Sequence, residues 1–224
     1  MPELELKFMD NKKIVTTAEL TIADVCAECN NTKLSLLDNY FCSLYDSHFK
    51  NFIEEKKPTK FKYNYELFLR SLLKITYNSS RTKSRIDNEF EKFKDFILNG
   101  NQIREDVVIK ADIVTPAIID GKKLYPNSAR CGTISIDTTV DNFILRMISV
   151  NSYHFYMIIS KNAEISTEIA ETEFKEIFQL IPGTIVHPYQ EEIEIINFSS
   201  EDAFSINKPS IDLNKEFFNK FMNK

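Results

Sequence analysis

The feature that most constrains the fold is a change of hydrophobic period near residue 100. Before it, apolar residues recur at three- and four-residue steps, the spacing of helix faces. Leu34, Leu37, Phe41, Leu44, His48 and Phe52 make one such stripe. Phe68, Leu69, Leu72, Leu73 and Thr76 make a second, over about Tyr65 to Tyr77, and Ile86, Phe90, Phe93 and Ile97 a third, over about Lys83 to Leu98. Asn99-Gly100-Asn101 stops the third helix, with Gly100 suited to a left-handed C-terminal position. Beyond it come β-rich runs at Val107–Val114, Thr133–Asp137, Phe143–Val150 and Tyr153–Ser160, with Asn151-Ser152 as a hairpin turn. A helix is expected at Thr167–Ile181, ended by Pro182-Gly183, then strands at Thr184–His187 and Glu192–Phe198 and a terminal helix at Ile211–Met222. At the start, residues 3–9 and 12–17 alternate around Asp10-Asn11 as a β-hairpin, and Leu20 to Val25 reads as a short third strand.

The expected class is therefore α+β. A hairpin, a Cys-x-x-Cys turn and three helices (residues 1–102) precede a mostly antiparallel sheet with one or two helices (residues 103–224). The chain of 224 residues, with 18 Phe and 9 Tyr, can fill such a core. Only 4 Gly are present, and neither G-x-x-x-x-G-K-[ST] nor G-x-G-x-x-G occurs, which argues against a Gly-rich phosphate loop. Four unevenly placed Cys do not make a secreted disulfide framework, and no apolar run approaches a membrane span. The reading is a soluble, cytoplasmic protein with no membrane partner.

Charge is unevenly spread. Residues 56–85 carry Lys56, Lys57, Lys60, Lys62, Arg70, Lys74, Arg81, Lys83 and Arg85 against Glu66 alone, while residues 106–224 hold 17 acidic and 11 basic residues. A basic block interleaved with Phe61, Tyr63, Tyr65, Phe68 and Tyr77 suits a nucleic acid, with cations on phosphates and rings on unpaired bases. Lys60, Lys62, Arg70, Lys74, Arg81, Lys83 and Arg85 are the candidate contacts, with Arg70 and Lys74 one helical turn apart. The competing reading is a solvated helix face balanced by the acidic half.

The clearest chemical motif is Cys26-Ala27-Glu28-Cys29, followed by Asn30-Asn31, with Asn31 or Thr32 as a candidate N-cap. Two thiolates at this spacing grip one zinc ion, which needs two further ligands. Cys42 and His48 extend the spacing to C-x2-C-x12-C-x5-H. In a straight helix, however, those two side chains point about 120° apart, and His48 lies on the apolar stripe. Cys42 reads instead as a small buried hydrophobe.

Val25-Cys26-x-x-Cys29-Asn30-Asn31, followed by Leu34-Ser35 and Asp38, resembles the second half of the HNH endonuclease motif. The stretch Phe68 to Asn78 is similar to the helix that often follows it. The resemblance covers roughly residues 14–78. It implies a ββα-metal site in which Asn30, at the helix start, helps hold a divalent ion, with zinc on Cys26 and Cys29. The family's general base is a His on the preceding strand, and its zinc takes a second Cys-x-x-Cys upstream. Here no His precedes His48 and no Cys precedes Cys26. Asp24 and Glu28 are the nearest carboxylates.

Three functional readings follow. The chain is an HNH-like binding module for nucleic acid or protein without autonomous catalysis. It is a metal-dependent endonuclease subunit completed by another chain or an upstream segment. Or it is an interaction protein working through its C-terminal α+β part. Elsewhere, His154 alternates away from Tyr153, Phe155 and Met157, which suggests a cross-strand structural role. His187 sits before Pro188 at a strand end. Glu191, Glu192 and Glu194 read as a charged edge.

Overall fold

The computed structural model describes residues 7–9, 14–16, 26–81, 88–100, 104–119, 121–126, 129–134, 136, 141–161, 168–196 and 198–199. The expected strand at Leu20–Val25, the expected helix at Ile211–Met222, and Asp24, Lys83 and Arg85 lie outside these residues. Strands β1 (Lys7–Met9) and β2 (Ile14–Thr16) pair antiparallel, as their alternation implies. No described helix is long and apolar enough to cross a membrane.

Helix α1 is one continuous run of four segments: Ala27–Cys29, Asn30–Leu34, Ser35–Leu44 and Tyr45–Phe49. The second and fourth have the wider π-type turn, and this changes which residues face inward. Leu34, Leu37 and Leu44 are buried as expected. After Leu44, the π turn advances the buried position to Phe49, which leaves His48 half-buried and Phe52 at the surface. Cys42 is exposed, so it is not the buried hydrophobe its neighbours suggest.

Strand β3 (Thr59–Lys62) follows, in a stretch where no strand is expected from the sequence. Its alternation buries Phe61 and leaves Lys60 and Lys62 outside. Helix α2 (Tyr65–Arg81) buries Phe68, Leu69, Leu72, Leu73 and Thr76, the expected face. The third helical region is a 3-10 segment, Asn88–Phe93, leading into α3 (Lys94–Asn99). Phe90, Phe93 and Ile97 point inward, as expected.

A six-stranded sheet forms the second half. Its central strands are β4 (Val107–Val114), β9 (Tyr153–Ser160) and β8 (Phe143–Val150), mutually antiparallel, with β7 (Ala129–Thr133) on the β8 edge. The edge strand thus lies upstream of the expected Thr133–Asp137, because its register on β8 is set from Ala129↔Val150 to Thr133↔Arg146. A small hairpin of β5 (Ala117–Ile119) and β6 (Lys122–Leu124) interrupts the path. Helix α4 (Glu168–Leu180) leads to β10 (Thr184–Ile185), β11 (Glu192–Ile195) and β12 (Phe198–Ser199). The other edge of β4 takes β10 antiparallel and then β12 parallel. The fold is α+β with a mainly antiparallel sheet.

Alternation gives the sheet two apolar faces. Ile109, Ala111, Ile113, Ile148, Tyr153, Phe155 and Met157 join the residues of α1, α2, α3 and β3 in one core. Phe143, Leu145, Tyr156 and Ile158 pack under Ile177 of α4 and Ile181 just beyond its end on the other side. The first core draws on both sides of residue 102, and β3 pairs with β11 across that point. The expected boundary therefore runs through the core rather than around it.

Two turns fix the layers. Asn151 adopts φ 50°, and its side-chain amide donates to Phe49 O (2.7 Å), while Ser152 Oγ accepts from Ile53 N–H (2.8 Å). The β8–β9 turn thus caps the end of α1. Gly100 closes α3 at φ 71°, where an added Cβ would lie 2.2 Å from Glu66 Oε1 and 3.0 Å from an Arg70 guanidinium nitrogen. Gly100→Ala is expected to cost about 1–3 kcal/mol through its backbone conformation. A urea midpoint equal to that of the parent would refute this account of the α3 terminus.

Candidate functional site

The thiol turn stands at the head of α1. Cys26 is extended (φ −63°, ψ 150°) and its Sγ accepts from the Cys29 backbone N–H at 3.3 Å, as a Ser or Asp side chain does at an N-cap. Cys26 O takes the Asn30 N–H at 3.0 Å. The helix therefore starts ahead of the expected Asn31 or Thr32 cap, because the thiol supplies the cap itself. Thr32 Oγ1 donates instead to Glu28 O (2.6 Å), inside the helix. Cys26 is exposed, Cys29 is half-buried, and neither is in a disulfide. The Cys29 backbone N–H draws the Cys26 thiol below its ordinary pKa, while the hydrogen bond with Cys26 pushes Cys29 up.

These two residues fit as half of a tetrahedral zinc site: soft sulfur donors, three residues apart, with an N–H aimed at one sulfur. The extended set does not fit. Cys42 lies thirteen residues further along the same helix, about 20 Å away at 1.5 Å per residue, and His48 is further still. His48 packs edge-on against Phe61 (5.1 Å), and burial holds its pKa down. Asn30 and Glu28 are exposed on the first turns. Among the described residues no three His, Cys, Asp or Glu side chains converge as a metal-binding group.

The basic segment is divided by the fold. Lys60 and Lys62 project together from β3 into solvent, and Glu192 of β11 meets both, at 3.2 and 3.7 Å. Glu192 and Glu194 face the same way, opposite Lys62 and Lys60 in register. The acidic cluster is thus a cross-strand partner of the lysines. Such exposed pairs are weak, of order 0–1 kcal/mol. Arg70 differs from its expected surface role. It is buried and spends its guanidinium on the end of α3, donating to Ile97 O (3.1 Å), Leu98 O (3.1 Å) and Glu66 Oε1 (3.0 Å). Lys74 reaches Asp38 (2.5 Å) and Leu34 O (3.4 Å) on α1. One helical turn apart, Arg70 and Lys74 tie α2 to two different helices instead of sharing a polyanion. Arg81 is the last residue of α2.

Strand register creates a second polar grouping that the linear sequence does not announce. Ser149 on β8, His154 on β9 and Asp112 on β4 stand side by side across three strands, all buried. These are the residue types of a hydrolase triad. They are not wired as one, since neither His154 ring nitrogen has a hydrogen-bond partner. Burial alone lowers the His154 pKa to about 4. On the same face of β4, Lys110 donates to Phe178 O (3.0 Å) and to Ile181 O at the end of α4. His187 is exposed at its strand end, and its backbone carbonyl and N–H both engage the Tyr63 hydroxyl (2.8 and 3.0 Å).

No protein-family model, no curated protein and no solved structure matches the chain.

Two expectations follow from these positions. Removing the carbonyl cap in Arg70→Met should lower unfolding free energy by about 2–4 kcal/mol in urea titrations; a loss below about 0.5 kcal/mol would mean the α3 terminus does not need it. His154 binds protons more weakly folded (about 4) than unfolded (about 6.5). Its contribution is complete above pH 6.5 and is lost as pH falls towards 4, by on the order of 3 kcal/mol. His154→Phe should flatten that part of the stability–pH curve. Parallel curves for parent and variant would exclude His154 as the group responsible.

Proposed function

We propose that this chain is an HNH-endonuclease-like nucleic-acid-binding module that does not cleave by itself. In this reading Cys26 and Cys29 supply half of a structural zinc site, and the exposed lysines near β3 meet phosphates. The observation that carries the reading is the thiol turn. Two free cysteines, Cys26 exposed and Cys29 half-buried, stand at the start of a helix, with a backbone N–H already directed at one sulfur. A pair serving only to pack would be buried. Lys60 and Lys62 add a solvent-facing cationic pair on the same side of one strand. Arg81, Lys83 and Arg85 extend the basic sequence beyond Ser80.

A second reading is a metal-dependent endonuclease subunit whose remaining ligands and general base come from another chain or segment. The half-site favours it, because two thiolates leave two zinc positions to be filled. Asn30 would then hold a second, divalent ion that polarises the scissile phosphate.

Elemental mass spectrometry on protein purified without chelator or affinity metal should find between one zinc per two chains and one per chain, and Cys26→Ser with Cys29→Ser should abolish it. A metal-free parent protein would sink both readings. Binding to a fluorescent single-stranded oligonucleotide should weaken steeply with salt. Lys60→Ala with Lys62→Ala should reduce the slope of log affinity against log salt by up to about 1.4. Unchanged affinity and slope would remove these lysines from the interface.

A further inference from the structure

Arg146 is among the largest side chains the core encloses almost completely, at 1 % exposure. It extends from β8 on the face that packs against α2. Its Nη1 donates to Thr133 Oγ1 (2.7 Å), and its Nη2 to Ser79 Oγ (3.2 Å) and Cys131 Sγ (3.4 Å). The Phe90 ring lies 5.7 Å from the guanidinium carbon. Nε, also buried, has no partner, and among the described residues no carboxylate pairs with the group. The other buried cations are arranged differently. Arg70 and Lys110 sit on helix-end carbonyls, where the backbone supplies negative potential.

Among the described residues this full positive charge is held by two hydroxyls, a thiol and a ring, a costly arrangement. A buried donor without an acceptor points to a missing ion or water. The surroundings also lead outward: Thr133 is exposed at the end of edge strand β7, and Ser79 and Cys131 are half-buried. The guanidinium, beside the Thr133 and Ser79 hydroxyls (Ser79 Oγ also donates to Cys131 O at 3.5 Å), suits the oxygens of a phosphoryl group. We propose that Arg146, with Thr133 and Ser79, forms a binding site for a phosphoryl oxyanion that enters beside β7. The site shares no residue with the thiol turn or with Lys60 and Lys62, so it stands or falls separately from the reading above.

The test follows the Arg146 Nε–H resonance of the full chain by nitrogen-15 NMR, identified by its absence in Arg146→Lys. Sodium phosphate is titrated against sodium chloride at matched ionic strength, and oligothymidylate in parallel. The expected result is a saturable shift with at least one of the two. Saturation by phosphate alone identifies free phosphate as the source; tighter saturation by the oligonucleotide identifies a nucleic-acid backbone. At about ten times the half-saturating concentration the melting midpoint should rise by roughly 3 °C in the parent and not in Arg146→Met. A resonance unmoved by both ligands up to ~50 mM would overturn the site, as would an equal rise in Arg146→Met. If Arg146→Met does not fold, Thr133→Val replaces it: weaker phosphate binding, by about fivefold or more, is expected, and unchanged binding overturns the proposal.

Discussion

The architecture depends on a knot of aromatic rings contributed by four separate elements. Phe49 from the end of α1 lies 5.9 Å from Phe61 of β3, 4.9 Å from Tyr153 and 5.7 Å from Phe155 of β9. Phe68 of α2 closes the group at 5.3 Å from Phe61 and 4.9 Å from Phe155. Stacked, tilted and edge-on pairs of this kind add about 0.5–1.5 kcal/mol each beyond burial. More important than the sum is the connectivity. The rings join the helical layer, the β3–β11 ribbon and the main sheet at one place, so none of the three has a complete apolar surface without the others. The π turn at Tyr45–Phe49 is what rotates Phe49 into this position.

Around the knot, cationic side chains do work usually done by capping residues. Arg70 satisfies the last carbonyls of α3, Lys110 those of α4, and Lys92 reaches Ser160 O. The final carbonyls of a helix have no intrahelical donor and carry the negative end of its dipole. A buried Lys or Arg that ends on them trades its hydration for several oriented acceptors. Part of the basic character of residues 56–85 is therefore internal. Arg146 lacks such an arrangement, which sets it apart from the other buried cations.

Much of this was legible in the chain and some was not, for identifiable reasons. The inward faces of α2 and the 3-10–α3 region followed from regular 3.6-residue spacing, and the two long central hairpin strands from β-branched and aromatic runs around Asn151-Ser152. The second half of α1 departs from the expected stripe because a π turn breaks the 3.6-residue period, so Phe49 is buried in place of His48 and Phe52. Strand β3 is present as the alternation Lys60-Phe61-Lys62-Tyr63, a two-residue period too short to stand out within a basic segment. The thiol turn was visible because its spacing is local. Burial of Arg70, the Ser149–His154–Asp112 row and the surroundings of Arg146 arise from register and helix packing, which bring together residues tens of positions apart.

The pairing of β3 with β11 joins residues 59–62 to 192–195, and this bears on how the chain acquires its structure during synthesis. At 5–20 residues per second, roughly 7–25 s separate the appearance of the two strands. Through that interval α1, α2 and β3 exist without the ribbon partner that covers Phe61, and until β9 emerges they also lack the sheet strand that receives Phe68. The nascent N-terminal half is thus a persistent exposed aromatic surface with an unpaired strand edge. Its lysines, Lys60 and Lys62, lie on that edge strand, where charge opposes association with other unfinished chains.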